Sequence, residues 1–226
     1  MNGGYTQKKY KTGAGSARSG SENAFNEPLM KHVLHKVRLW VSTIRLLPHW
    51  LLFNLHANRG VMQYDAARWL ALLHIHRKTQ AGFLHLMTFV PEFRNLFYYR
   101  AGGYALPLKL LCPPLRTLYL EAGQIGPGLF IQHGFATIIA ARSVGKDCWI
   151  NQQVTIGFSN PTDQPVIEDN VTIHAGAKVI GKVTVGSNSK IGANAVVVKD
   201  VPENCTVVGV PAYIVRRNGL RVTQEL

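Results

Sequence analysis

The stretch "IEDNVTIHAGAKVIGKVTVGSNSKIGANAVV", residues 167–197, decides how this chain folds. Ile167, Ile173, Val179, Val185, Ile191 and Val197 recur every 6 residues. Upstream, Ile125 and Ile131, then Val144, Ile150 and Ile156, keep the same step. Two intervals break it: Ile131 to Val144 takes 13 residues, and Ile156 to Ile167 takes 11. Four residues beyond most of these aliphatics stands another apolar or small residue, among them Leu129, Phe135, Cys148, Val154, Val171, Ala177, Val183, Ser189 and Ala195. An amphipathic helix repeats at about 3.6 and a half-buried strand at about 2, so neither produces this pattern. A parallel β-helix does. Each hexapeptide makes one short strand and one corner, three build a triangular coil, and the leading aliphatics stack inside.

Working outward, the repeat region runs over residues 118–215, with 216–226 expected as a C-terminal tail. Before it, residues 30–117 show helical spacing. Val33, Val37, Trp40, Val41 and Ile44 line one face of a first helix, which Pro48 is expected to end. "YDAARWLALLHIH" and "AGFLHLMTFV" continue the pattern, a fourth helix opens at Pro91, and "LKLLCPPLR" looks like an extended connection. Residues 1–29 are Gly-, Ser- and Lys-rich with little to bury, and are expected to be a disordered basic extension.

The net charge of +13 is uneven: residues 1–120 hold 16 Lys and Arg against 4 Asp and Glu, and residues 121–226 hold 9 against 8. A basic N-terminal half suits a solvated helix surface, an anionic membrane surface or an acidic substrate. Nucleic acid is the weakest partner, because no binding motif accompanies the charge. Cys112, Cys148 and Cys205 are an odd number at unrelated spacings, which argues against a disulfide framework and for a reducing compartment. No charge-free apolar run reaches the ~18 residues of a spanning helix. A cytoplasmic protein is expected, with peripheral membrane association through the basic half.

If three hexapeptides make a coil, residues three repeats apart share a column. His133, two residues after Ile131, then falls beside Gln152, Ala175 and Ala193, at a strand spacing of about 4.8 Å. A polar pair followed by two small side chains is what a long thin ligand along one edge requires. A corner histidine followed by alanines chosen for tight turns fits the spacing equally well. An imidazole has an unperturbed pKa of about 6.5 and can take a proton from a hydroxyl at neutral pH. The side-chain amide of Gln152 could hold a developing oxyanion. Cys148 falls on an inward position and is expected to be a buried structural thiol.

These residues carry a resemblance. The repeats from Ile125 to Val215, His133 at its position and the ending "VVVKDVPENCTVVGVPAYIV" resemble the hexapeptide-repeat acyltransferases. The likeness is greatest to serine acetyltransferases and the related O-acetyltransferases of bacterial surface polysaccharides, whose helical domain also precedes the repeats. It implies a mainly β chain, a left-handed parallel β-helix preceded by a small α-helical domain. It implies a homotrimer, in some members a dimer of trimers, with acetyl-CoA in a groove between subunits and no metal. His133 inherits the role of general base. Ala175 and Ala193 inherit the pantetheine path, Gly157 the turn that admits the thioester, and Lys199 a further coenzyme contact. Within the interrupting segment "FSNPTDQPV", residues 158–166, Asn160, Asp163 and Gln164 inherit acceptor contacts.

The departures bear on the acceptor. Serine acetyltransferases place an Asp directly before the histidine, a carboxylate about one coil earlier and an Arg-His pair before the later coil. Here those positions hold Gln132, Leu118, and Asp163 with Gln164. Glu121 stands near enough in sequence to replace the missing carboxylate, although a surface corner is its simpler place. The expected function is therefore acetyl-CoA-dependent O-acetylation of a sugar or glycan-precursor hydroxyl. The alternative is a true serine O-acetyltransferase of cysteine biosynthesis. A metal-dependent hydratase like the γ-carbonic anhydrases is weaker. It needs three converging histidines, and the repeats hold His133 and His174 alone.

Overall fold

The computed structural model describes residues 44–226. The expected extension 1–29 and most of the first helix, with Val33, Val37, Trp40 and Val41, lie outside the described residues. Helices α1 (Leu47–Leu55), α2 (Arg59–Leu72), α3 (Thr79–Phe89) and α4 (Pro91–Ala101) come first, then a 3-10 turn at Gly102–Ala105 and one helical turn, α5 (Leu108–Leu111). The first helix ends at Arg45, just before Pro48 as expected, and Pro48 itself sits in the first turn of α1, where a missing N–H breaks no bond. The "LKLL" part of the expected extended connection is α5 itself. Phe53 stacks on Phe83 at 4.0 Å, and Phe83 packs on Phe93 and Phe97, so aromatic rings fill the helical layer. His49 is fully buried beneath them, its Nε2 3.0 Å from the Tyr98 hydroxyl and 3.2 Å from the Leu108 carbonyl oxygen. Burial lowers its pKa from 6.5 to about 4.

From Leu118 the chain winds into a parallel coil of three sheets. Sheet A holds β1 (Leu118–Leu120), β4 (Thr137–Ile139), β7 (Thr155–Gly157), β10 (Lys178–Ile180) and β13 (Val196–Val197). Sheet B holds β2 (Gln124–Ile125), β5 (Ser143–Val144), β8 (Val166–Ile167) and β11 (Thr184–Val185). Sheet C holds β3 (Phe130–Gln132), β6 (Trp149–Asn151), β9 (Thr172–Ile173), β12 (Lys190–Ile191) and β14 (Cys205–Val208). The predicted aliphatics stack in register: Ile131 on Ile150 on Ile173 on Ile191, and Ile125 on Val144 on Ile167 on Val185. All are buried. Residues 216–226 are not a loose tail. β15 (Tyr213–Arg217) turns back antiparallel on β14, and β16 (Leu220–Glu225) pairs antiparallel with β15.

One core runs through helices and coil. Trp69 donates its indole N–H to the Leu129 carbonyl at 2.8 Å and meets Phe130 edge-on. Arg100 donates to Asp65 Oδ2 at 2.9 Å and to the carbonyls of Ile125 and Gly126, while Asp65 Oδ1 accepts the Gly128 N–H. Both side chains are almost wholly buried, so the charges satisfy each other and the first coil's backbone together. Tyr64 and Arg68 hold Asp147 in the second coil in the same way. The boundary at 117/118 is thus a change of secondary structure across continuous packing.

The corner between β3 and β4 departs from the period. Ile131 to Ile139 spans eight residues, whereas the partners Ile150 to Ile156 span six. Alignment resumes at Ala136 and Gln153, both with left-handed backbone (φ 50° and 60°), where Gln153 N–H donates to the Phe135 carbonyl. His133 and Gly134 are therefore extra residues. Phe135, expected inward, is 58% exposed, and Thr137 fills its interior place. Gly134 lets this corner lie flat: a Cβ there would stand 2.9 Å from Leu118 Cδ2, 3.1 Å from Glu92 Cγ and 3.2 Å from Ile131 Cγ2.

Two predictions follow from this packing. His49 disfavours its proton in the folded state, so its stabilisation is complete above pH 6.5 and fades as the pH falls toward about 4. The melting temperature should drop across that interval, and His49→Gln should flatten the drop; an unchanged profile would place the titration elsewhere. Gly134→Val should overpack the corner and cost about 1–3 kcal/mol in denaturant unfolding. Wild-type stability would mean the corner has slack.

Candidate active site

The register gathers four of the predicted residues on one edge. Ile131, Ile150, Ile173 and Ile191 are mutual partners, and His133, Gln152, Ala175 and Ala193 all lie in the corner joining sheet C to sheet A; the inserted His133 has no partner in the stack, however, and Phe135 takes the expected place opposite Gln152. His133 is exposed and in the left-handed region (φ 56°), a conformation histidine adopts more readily than most residues. The two-residue insertion pushes it out of the coil, so its ring is not held among the interior side chains. Gln152, one coil on at this corner, is half-buried, and its side-chain oxygen is buried without a hydrogen-bond partner, as is that of Asn151. Buried amide atoms left unpaired are costly and mark a place where a ligand donor would be welcome. Beyond them Ala175 is half-buried and Ala193 exposed, and Gly209 continues the column with the Tyr213 ring against it.

The remaining predicted residues stand elsewhere. Gly157 ends β7, and the loop that follows leaves the corner joining sheet A to sheet B; Lys199 lies at that same corner two coils on. In a single chain these residues are separated from His133 by the width of sheet A, about 10 Å for three residues. Within the loop Asp163 accepts from Asn160 Nδ2 at 3.1 Å and from Thr162 Oγ1 at 3.2 Å, while Gln164 is half-buried. Lys199 donates to the Leu226 carbonyl at 2.7 Å, so it is occupied by the C-terminal hairpin. Gln132 accepts from the Trp149 indole at 3.2 Å on the outer face of sheet C.

One residue near His133 escaped sequence reading. Glu92, in the first turn of α4, has its Cγ against the position a Gly134 side chain would take, which makes it the carboxylate that the helical layer brings to this corner. It comes from a helix 41 residues upstream, so no spacing in the repeat announces it. Glu121 is exposed at the opposite edge of sheet A and does not reach the histidine corner. Phe135, next to the inserted pair, is solvent-facing, and Phe158 opens the loop at the other edge at 37% exposure. Cys148 is fully buried, and burial pushes its thiol up to about 11, which leaves it inert as a nucleophile. Among the described residues no three His, Cys, Asp or Glu side chains converge as a metal site would need. His174 lies on the outer face of sheet C, in the row that continues Gln132 and Asn151.

Known proteins share the repeat and the coil. Residues 164–199 match the family described as bacterial transferase hexapeptide (six repeats). A protein of Synechococcus elongatus named serine acetyltransferase is 43% identical over 153 residues, covering 62% of this chain and 63% of its own length. One of Staphylococcus aureus with the same name is 45% identical over 103 residues, covering 44% and 48%. The chain thus spans roughly half to under two thirds of these relatives. Among solved structures, the serine acetyltransferase of Neisseria gonorrhoeae superposes with a TM-score of 0.59 at 26% identity, covering 73% of this chain and 67% of that one. That of Brucella abortus gives 0.57 at 25%, covering 76% and 73%. Their coils are left-handed β-helices preceded by helices, as here. Repeat, coil and likeness agree on the fold: residues 164–199 match the hexapeptide family, and the similar proteins that share the coil are named serine acetyltransferase.

Proposed function

We propose that this protein transfers the acetyl group of acetyl-CoA to a hydroxyl, with His133 as general base. The observation that carries the reading is an exposed imidazole at the head of an open edge whose next coils present only Ala175, Ala193 and Gly209. A pantetheine arm laid along that edge passes over Ala193 and Ala175 and brings its thioester to His133. The imidazole takes the hydroxyl proton as the acceptor oxygen attacks the thioester carbonyl. The Gln152 amide, turned to present its NH₂, donates to the oxyanion. Collapse of the tetrahedral intermediate breaks the C–S bond, and the imidazolium returns its proton to the departing thiolate. The products are an O-acetyl ester and coenzyme A, with no acyl-enzyme.

The outer faces of the coil favour a trimer. Sheet A turns Tyr119, Ile138 and Val198 outward, at 51%, 38% and 53% exposure. Sheet C turns out Gln132, Asn151, Thr172, His174 and Lys190, which are polar, with Trp149 as the one aromatic among them. With sheet A facing a threefold axis, the histidine corner of one copy meets the loop corner of the next. Gly157, Asn160, Asp163, Gln164 and Lys199 then join His133 across the interface, although one chain keeps them apart.

On the acceptor, the relatives' names support serine, and a Neisseria gonorrhoeae relative, 25% identical with a TM-score of 0.58, is described in complex with serine. A sugar hydroxyl is the second reading, for a specific reason. The loop offers neutral donors and acceptors around one carboxylate already tied to Asn160 and Thr162, and no cation for an amino acid's carboxylate.

Incubation with acetyl-CoA and a panel of serine, sugars and nucleotide sugars, followed by free thiol, tests the reaction and ranks the acceptors. No thiol release with any of them would sink the proposal. His133→Ala should fold normally and lower transfer by about 10²–10⁴; near wild-type turnover would remove His133 from the chemistry. Shortening residues 159–165 to Gly-Gly should spare acetyl-CoA binding and abolish transfer. Co-expressing that variant with His133→Ala should restore part of the activity, because some interfaces then pair an intact histidine with an intact loop. Absence of any rescue would show that each chain carries a self-contained site.

A further inference from the structure

The helical layer carries an apolar face that the coil does not use. On α1 the core takes His49 and Phe53, yet Leu47, Leu51 and Leu55 point to solvent at 54%, 44% and 75% exposure, in line with Ile44 at 69%. Beside this stripe stand Tyr104 at 72%, Leu106 at 66% and Leu110 at 86%. The two rows adjoin, since His56 packs edge-on against Tyr104 at 5.6 Å and His49 reaches the Leu108 carbonyl. A contiguous set of this size exceeds the scattered single leucines of ordinary surfaces.

Its charge surroundings identify what it meets. Residues 44–117 contain nine Lys and Arg and two carboxylates. Asp65 is sealed in its pair with Arg100, and Glu92 is half-buried at the Gly134 corner, so this layer has no exposed carboxylate. Arg59, Arg77, Lys78 and Lys109 are exposed around it. The hydrogen bonds between Asn54 and Gln80 bring the Lys78 end of α3 alongside α1. Pairing this face with a second copy would set cation against cation with no acid to answer. An apolar stripe in a purely basic rim instead matches a bilayer with anionic headgroups, which takes leucines into the acyl boundary and lysines and arginines at the phosphates. No helix among the described residues is long and apolar enough to cross a membrane.

We propose that Leu47, Leu51, Leu55, Tyr104, Leu106 and Leu110 form a docking face for an anionic membrane surface, on which the protein lies peripherally. This inference does not depend on the acetyl-transfer reading. The test is co-sedimentation of the full chain with phosphatidylcholine vesicles, with and without about 30% phosphatidylglycerol, at low and at about 0.5 M salt. Pelleting should require the anionic lipid and weaken with salt. Leu55→Glu/Leu110→Glu should reduce the bound fraction at least about tenfold while leaving the melting temperature unchanged, because both side chains are exposed. Equal pelleting with neutral vesicles, or none with either, would overturn the proposal. So would undiminished binding by the double variant, which would assign attachment to the basic charges alone. A fall in oligomer mass by light scattering on introducing the two glutamates would make this face an interface between copies instead.

Discussion

A coil with one aliphatic side chain per strand position tolerates no change of step. Each interior residue here rests on the equivalent residue one coil above and below, as Ile150 rests between Ile131 and Ile173. An extra residue anywhere in a strand would turn its inward side chains out and break the parallel ladder on both sides. Extra length is therefore confined to corners. Two corners are lengthened: the one with His133 and Gly134, and the one with the 158–165 loop. They stand at the two edges of the same sheet, A, in successive coils. The fold's strictness elsewhere makes their placement informative, since neither insertion improves the stack.

The helical layer sets the first of these corners. Arg100 and Asp65 bind α4 and α2 to the carbonyls and amide of the first coil, with no solvent to loosen them. α4 is thereby fixed with Glu92 over Gly134, and the histidine corner is pressed between a helix N-terminus and Leu118. At this corner the coil itself supplies Leu118, and the helical layer supplies the Glu92 side chain beside it.

Most of the coil was legible because interior contacts impose a fixed arithmetic on the sequence. Ile125, Val144, Ile167 and Val185 sit where counting places them, and Gln152, Ala175 and Ala193 follow from the same count, whereas His133 stands outside it as an inserted residue. The count failed at one point for a definable reason. The His133 corner gains two residues, but the next corner, Ile139 to Val144, is one residue short, so the sequence shows a net surplus of one. Phe135 then mimics an inward residue that Thr137 in fact provides. Glu92 and the outward leucines of α1 were invisible for another reason: a helix apolar on several faces does not declare which face is covered. Pro48 illustrates the same limit, because a proline stops one helix and starts another with equal ease.

The C-terminal hairpin has a consequence for the solubility of the whole stack. A parallel β-helix has open ends, and its last strand is a template to which another chain's strand can add. At the first coil the helices lie over β1 and β3, through Asn95, Trp69 and Arg100. At the last coil β15 reverses direction and occupies the free edge of β14, with β16 outside it carrying Arg221, Thr223, Gln224 and Glu225. Reversal matters as much as coverage. An antiparallel strand with charged and polar side chains ends the repeat register, so a second copy has nothing in phase to continue. The same hexapeptide regularity that builds the coil would otherwise favour end-to-end growth into filaments, and the hairpin is the feature that keeps this solenoid finite.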